Sequence, residues 1–144
     1  MIESVTVESL SQSPEEVFDF VADPANQPLW NSELTNVVVL TEGPSRLGSR
    51  MTGDYSPIGR VDSEITVFDR PSRLVLSSTG GQADMTLDFR FESDGSGTSM
   101  TVAGSVSLKG ALKFMEAAVR GPAAAQFEAR ASRIKSALGY LPDM

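Results

Sequence analysis

Tyr55 is the side chain best suited to act on a bound molecule, because the sequence contains no histidine and no cysteine. Their absence excludes a Ser–His–Asp triad, a cysteine nucleophile, a thiolate metal site and a histidine-ligated zinc centre. Any catalysis would have to use carboxylates, tyrosine, lysine or arginine with shifted pKa values, or positioned water. We therefore expect no metal and no cofactor.

Tyr55 lies in a strand-like segment on the same face as Met51, whereas Arg50 and Asp54 lie on the opposite face. A phenol on an inward face can donate a hydrogen bond to a carbonyl or carboxylate of a ligand. The alternative is a ring packed in the core with its hydroxyl at the rim. Tyr55 is thus a predicted ligand-binding residue and a weak candidate for a catalytic one.

Cationic groups are concentrated near the C-terminus. Residues 1–108 contain 6 basic and 16 acidic side chains, whereas residues 109–135 contain 6 basic and 2 acidic ones. The net charge of −7 disfavours nonspecific binding to nucleic acid, so no such partner is expected. On a helix, Arg120 and Lys113 could meet an anionic group of a ligand. Their spacing from Glu116 favours the alternative, ordinary surface ion pairs.

The N-terminal third is predicted to contain one strand and two short helices. Ile2 to Ser9 is rich in β-branched residues, which favours a strand. Ser13-Pro14-Glu15-Glu16 is a capping-box sequence with proline at the first helical position. Asp23-Pro24 should end that helix and start a second short one, which ends near Trp30.

From Leu34 onward the hydrophobic period changes to two, which predicts six further strands. Their predicted ranges are 34–42, 47–56, 59–69, 73–79, 83–92 and 97–108. The short connections contain glycine and proline and favour antiparallel neighbours. Apolar residues at helical spacing then predict a helix from 111 to 138, which Gly121-Pro122 should kink or split.

Alternation along the strands predicts which side chains face the interior. In segment 83–92, for example, apolar and polar residues alternate without exception, so the apolar face must point inward. Ionisable strand residues then face outward, which predicts an apolar interior whose polar exceptions are Tyr55, Ser63 and Thr98, with no charged cluster. Val67 is predicted to face inward.

The predicted ligand-lining residues are Met51, Tyr55, Ile65, Met85, Leu87, Phe89, Met100, Val102, Leu112, Met115, Val119 and, at the rim, Arg120. The same apolar stripes would also suit a solid core.

The element order and the Pro-Glu-Glu-Val-Phe-Asp-Phe-Val-Ala-Asp-Pro stretch that runs on to Trp30 resemble the START-related (SRPBCC) superfamily. Gly43-Pro44, Gly48 and Gly97-Thr98 add to the resemblance. The superfamily that the chain resembles includes the birch-pollen allergens and polyketide cyclase/dehydrase-like proteins. It implies an α+β helix-grip fold over residues 1–144, with a curved seven-stranded antiparallel sheet around the C-terminal helix. Trp30 would then lie at the cavity mouth and stack on a ligand, or else plug the end of the core.

The leading functional hypothesis is noncatalytic binding or transport of a hydrophobic small molecule such as a lipid, polyketide, isoprenoid or sterol-like compound. The ligand would lie between the sheet and residues 112–122, with an entrance formed by 18–30, the 56–59 turn and Gly121-Pro122. One alternative is a polyketide cyclase or dehydratase that acts by confinement, with Tyr55 polarising a carbonyl. Another is a surface-acting regulatory or co-chaperone module.

The sequence predicts a cytoplasmic location. The N-terminus, Met1-Ile2-Glu3-Ser4, is acidic and shows no signal peptide. No apolar run approaches the roughly 18 residues that a membrane span requires, so stable membrane insertion is not expected. The oligomeric state is not predicted.

Overall fold

The computed structural model describes residues 1–56 and 58–140, and for Tyr140 the backbone alone. Predictions that involve Pro57 or residues 141–144 lie outside the described residues. The strands are β1 (Ile2–Leu10), β2 (Leu34–Val39), β3 (Arg50–Tyr55), β4 (Gly59–Asp69), β5 (Arg73–Gly80), β6 (Ala83–Ser93) and β7 (Thr98–Leu108). The helices are α1 (Pro14–Ala22), α2 (Gln27–Trp30) and α3 (Glu116–Tyr140), with 3₁₀ segments at Pro24–Asn26 and Gly110–Met115.

The seven strands form one curved antiparallel sheet in the order β1-β7-β6-β5-β4-β3-β2. Consecutive strands from β2 to β7 are neighbours, and β1 pairs with β7, so β1 and β2 are the two edges. The long helix α3 follows β7, and two short helices connect β1 to β2. The predicted α+β helix-grip fold is confirmed.

Helix α1 begins at the predicted capping box. The Ser13 Oγ accepts a hydrogen bond from the Glu16 backbone N–H, and the Glu16 carboxylate accepts one from the Ser13 backbone N–H. Pro14 is the first helical residue. The buried face of α1 includes Phe18, whose ring contacts Phe68 and Phe91 edge-to-face. Capping therefore sets the helix start, and aromatic packing fixes α1 on the sheet.

β2 and β3 are at least three residues shorter than predicted, and β4 contains an irregularity that changes its inward face. β2 ends at Val39 rather than 42, and β3 begins at Arg50 rather than 47. The register of β4 on β5 shifts between Ile65 and Val67. Because a bulge reverses the alternation, Phe68 rather than Val67 packs against the core. The predicted inward orientation of Val67 is therefore wrong.

Gly121-Pro122 does not split the C-terminal helix, because α3 is continuous from Glu116 to Tyr140 with Pro122 inside it. The change of helix type lies upstream, where the 3₁₀ segment ends at Met115. Proline removes one backbone hydrogen bond, and the freed carbonyl lies at Ala118, which is exposed to water. No helix within the described residues has the length and apolar character needed to cross a membrane.

Helix α3 packs on β1 and β7 through the predicted stripe of Phe127, Ala131, Ile134 and Leu138, all of which are buried. Gly104 of β7 lies directly beneath Phe127. A Cβ atom at Gly104 would lie 2.3 Å from Phe127 Cδ1, a separation that side chains do not tolerate. Glycine at position 104 thus allows the Phe127 ring to lie on the sheet.

Candidate functional site

A cavity of about 300 Å³ lies between the sheet and the first half of α3. Its volume is at the lower end of the range for small-molecule pockets, ~300–1,000 Å³. The wall is mainly apolar, and the polar residues on it are Tyr55, Ser56, Gln126 and Arg130. The apolar residues are Ile2, Ile58, Met85, Val106, Leu108, Leu112, Met115, Val119, Pro122, Ala123 and Phe127.

The cavity has an exposed rim and a buried polar end. At the rim, Met115 is 48% exposed, and Ser56 and Pro122 are also exposed. At the other end, Tyr55 and Arg130 are almost fully buried, with only 4% of the Arg130 side chain exposed. The cavity is therefore open at the rim, and the buried hydrogen-bonding side chains on its wall are those of Tyr55 and Arg130.

The structure brings only some of the predicted ligand-lining residues to this cavity. Those on its wall are Tyr55, Met85, Leu112, Met115 and Val119. Met51 and Ile65 instead line a separate cavity of about 40 Å³ beside Gln27. Leu87, Phe89, Met100 and Val102 are buried core residues and line neither cavity, and Arg120 is exposed on α3 outside the large cavity.

Trp30 lies in the core and not at the mouth. Its side chain is fully buried, and its ring packs edge-to-face on Phe89 with ring centroids 5.7 Å apart. No residue from 18 to 30 lines the large cavity, so the predicted contribution of this segment to the entrance is wrong. The short helices plug one end of the sheet with aromatic rings, which leaves the opening on the α3 side.

The predicted absence of a charged cluster from the interior is also wrong. Arg130 is buried, and its Nε donates a hydrogen bond to Asn31 Oδ1 at 2.9 Å. Asn31 Nδ2 in turn donates to Gln27 Oε1 at 2.9 Å and to the Tyr55 hydroxyl oxygen at 2.5 Å. Glu33 Oε2 lies 3.6 Å from Arg130 Nε. We call these five residues the buried polar cluster.

Three parts of the fold position the buried polar cluster. Gln27 and Asn31 lie one turn apart at α2, where the Asn31 backbone N–H donates to the Gln27 carbonyl. The first residue of β2, Leu34, is paired with Tyr55 at the end of β3, which brings the α2–β2 connection beside the phenol. Arg130 reaches the same point from α3. The cluster therefore forms only when sheet and C-terminal helix come together.

The buried polar cluster and its neighbour Arg133 carry one carboxylate and two guanidinium groups. Both oxygens of Glu33 accept hydrogen bonds from Arg133 Nη1 at 3.0 Å. The Arg133 side chain is 34% exposed and so remains partly hydrated, whereas Arg130 is buried beside the rings of Tyr55 and Phe127, 5.5 and 5.2 Å from their centroids. The site thus holds one unbalanced positive charge at the inner end of the cavity.

The position of Arg130 in the sequence indicates that it is buried, although a search for apolar residues alone does not find it. The buried stripe of α3 runs through Phe127, Ala131 and Ile134, and Arg130 stands three residues after the first and four before the last. Residues at these spacings share a helix face. A basic residue that interrupts an apolar stripe indicates a buried cation.

Burial raises the pKa of the Tyr55 phenol above its usual value of 10.0, and this effect outweighs the opposing influences of the Arg130 charge and the Asn31 hydrogen bond. Tyr55 is therefore protonated at neutral pH. Its oxygen accepts from Asn31, so its own hydrogen can be donated to a group in the cavity. At neutral pH the phenol is therefore available as a hydrogen-bond donor and is not a base.

The raised pKa predicts a specific pH dependence of stability. Because the folded state holds the phenol proton more tightly than the unfolded state, this stabilisation is complete below about pH 10 and is lost as pH rises through the folded pKa. The free energy of unfolding should fall more steeply above pH 10 for the wild type than for Tyr55→Phe. The ionisation of Tyr55 is measured as the difference in tyrosinate absorbance between the wild type and Tyr55→Phe over a pH titration. This difference should show its transition above pH 10, and a transition at or below pH 10 would contradict the prediction.

The chemistry available at the inner end is hydrogen-bond donation and positive charge. Arg130 lines the cavity, and among the described atoms, which leave out Pro57, the Tyr140 side chain and residues 141–144, none accepts a hydrogen bond from its Nη groups. Over the same residues, no three acidic side chains lie close enough together to hold a metal ion. The site is equipped to bind an oxygen atom of a ligand and to stabilise negative charge on it.

A family model described as polyketide cyclase/dehydrase and lipid transport matches residues 1–139. The chain belongs to this family. Family and fold together indicate binding of a hydrophobic ligand or a function like that of polyketide cyclases. A comparison with curated proteins finds no match.

Several solved structures share the fold of this chain at low sequence identity. A START superfamily protein from Mycobacterium smegmatis has a TM-score of 0.80 at 15% identity, covering 99% of this chain and 100% of its own. MLL2253 from Mesorhizobium loti has a TM-score of 0.73 at 13% identity, covering 98% and 99% of the two chains. DynU16, from the dynemicin biosynthetic locus, has a TM-score of 0.65 at 18% identity, covering 97% of this chain and 48% of its own. These likenesses concern the fold.

Proposed function

We propose that this protein binds and carries a hydrophobic small molecule, such as a lipid, polyketide, isoprenoid or sterol-like compound, in the 300 Å³ cavity. The observation that carries the proposal is an apolar cavity with an exposed rim and a buried polar end. Membership of a family whose description includes lipid transport supports it. Burial of the ligand would supply about 25 cal/mol for each Å² of apolar surface, and Tyr55 and Arg130 would set its orientation.

A Val119→Trp variant tests whether the cavity is the binding site. Val119 lines the cavity and is only half-buried, so an indole there should occupy the open space without disrupting the core. We expect the neutral fluorophore N-phenyl-1-naphthylamine to bind the wild type saturably with enhanced fluorescence. Its affinity for Val119→Trp should fall about tenfold or more, a loss of at least ~1.4 kcal/mol of binding free energy.

Ala118→Trp is the matched control, because Ala118 is exposed one position earlier on the same helix and does not line the cavity. Its affinity for the fluorophore should stay within about threefold of the wild type, or ~0.7 kcal/mol. Equal affinity in the wild type and both variants would show that the fluorophore binds elsewhere, which would contradict the proposed site.

A second candidate function is that of a cyclase or dehydratase, and one observation favours it. A protonated phenol and a buried guanidinium lie side by side at the inner end of the cavity, where both could polarise a ligand carbonyl. Confinement of a flexible polyketide between apolar walls would add a proximity effect. Tyr55→Phe separates the two functions, because a carrier should lose little affinity, whereas an enzyme that uses this hydroxyl should lose most of its turnover.

A further inference from the structure

We infer that the ligand ends in a carboxylate that is bound by the Arg130 Nη groups and the Tyr55 hydroxyl, with its apolar chain directed toward the rim. The inference rests on the proposed function, because it requires the cavity to be a binding site. It goes beyond that function by assigning the ligand's chemical class and its orientation.

The first argument is the charge balance at the buried polar cluster. Glu33 receives its 3.0 Å hydrogen bonds from Arg133, whereas its distance to Arg130 is 3.6 Å. Arg130 therefore shares a single carboxylate with Arg133, which holds it at the shorter distance, so the two guanidinium groups face one negative charge. A buried charge is costly unless it is closely paired, so an anion in the cavity would complete the pairing.

The second argument is the placement of the donors. Arg130 lines the cavity, and its Nε donates to Asn31, so its Nη groups remain available to donate to a ligand. The Tyr55 oxygen accepts from the same asparagine, so the hydroxyl hydrogen of Tyr55 also remains available. A planar guanidinium matches a planar carboxylate through two parallel hydrogen bonds. One unbalanced positive charge also suits a monoanion better than a doubly charged phosphate.

The third argument is the size and character of the remaining space. At about 30 Å³ for each water-sized group, the cavity holds on the order of ten non-hydrogen atoms. Beyond Tyr55 and Arg130 its wall is mainly apolar, and the rim is open at Met115. Decanoic acid therefore fits as a probe, with its chain end at the rim, and 1-decanol is its neutral counterpart.

Isothermal titration with decanoate and with 1-decanol at neutral pH tests the inference. Decanol is the more hydrophobic of the two, so only a specific site would favour the anion. We expect the wild type to bind decanoate about tenfold or more tightly than decanol, as charge-assisted hydrogen bonds imply. Arg130→Met should lose this preference while its affinity for decanol stays within about threefold.

Arg120→Met is the matched control, because it removes an exposed cation from the same helix outside the cavity. It should bind both probes like the wild type. If Arg130→Met does not fold, as judged by circular dichroism, Arg130→Lys retains the charge and loses the planar fork. Arg130→Lys should then bind decanoate about three- to tenfold more weakly than the wild type, with decanol unaffected.

Each outcome separates the inference from the proposed function. Equal wild-type affinity for decanoate and decanol, a preference that survives in Arg130→Met, or a preference that is undiminished in Arg130→Lys overturns the carboxylate assignment while the cavity remains a binding site. If decanoate, decanol and N-phenyl-1-naphthylamine all fail to bind the wild type, the proposed function fails as well.

Discussion

Replacing Gly104 with alanine should lower the free energy of unfolding by about 2 kcal/mol, in the range that overpacked cores show. The new Cβ atom would lie 2.3 Å from Phe127 Cδ1 and 2.5 Å from Phe127 Cε1. Phe127 is 2% exposed, and its ring also packs beside the Arg130 guanidinium, so it cannot move away freely. Urea denaturation of the purified variant measures the change.

A double-mutant cycle identifies the cause of this destabilisation. Phe127→Leu removes the ring edge, so Gly104→Ala should cost less in that background than in the wild type. Gly81→Ala is the control, because a Cβ atom there would meet nothing within 4 Å. It should change stability by less than about 0.5 kcal/mol. If Gly104→Ala and Gly81→Ala had equal effects, the contact with Phe127 would not be the reason for glycine at position 104.

Sequence patterning predicted the sheet well because alternation is a local property of each strand. In β6, all five residues predicted to point inward, Ala83, Met85, Leu87, Phe89 and Phe91, are buried. Turn sequences predicted where one strand ends and the next begins, and the short connections predicted the antiparallel pairing that the sheet shows. One-residue irregularities such as the β4 bulge were not predictable, since they depend on how a strand fits its neighbours.

The cavity itself could not be predicted, because the same apolar stripe can line a hollow or fill a core. Met85 and Met100 were both predicted to point inward, and both are buried. Met85 lines the cavity, whereas Met100 lies in the solid part of the core. The two differ in their position relative to the first half of α3, which is set by tertiary packing.

The buried polar cluster was missed because its members are distant in the sequence. Asn31 and Arg130, which share a hydrogen bond, are 99 positions apart, and Glu33 and Arg133 are 100 positions apart. A local pattern treats each of these residues as an exposed polar side chain. Arg130's place on the α3 stripe could have indicated its burial, but nothing local could have indicated its partners.

Glu33→Gln should lower the free energy of unfolding by about 3 kcal/mol, at the low end of the cost of breaking a buried ion pair. Glu33 is 13% exposed and is the carboxylate nearest to both Arg130 and Arg133. Arg133 is partly exposed and can turn to water, but Arg130 would keep its charge in the interior without an acidic neighbour. Thermal or urea denaturation measures the loss.

Glu8→Gln is the control for this change. Glu8 lies 3.8 Å from Lys135, which also belongs to α3, and both of these side chains are more exposed than those of Glu33 and Arg130. Its replacement should cost less than about 1 kcal/mol, as for ordinary surface pairs. Equal costs for Glu33→Gln and Glu8→Gln would mean that water, and not Glu33, compensates the charge of Arg130.

The same variant links stability to ligand binding. With Glu33 neutral, the carboxylate of decanoate would become the acidic partner of Arg130, so its binding should restore more stability than it adds to the wild type. Decanoate should therefore raise the melting temperature of Glu33→Gln by more than that of the wild type, whereas 1-decanol should raise both equally. A smaller rise with decanoate in Glu33→Gln would mean that Glu33 supports the anion site instead of competing with the ligand for Arg130.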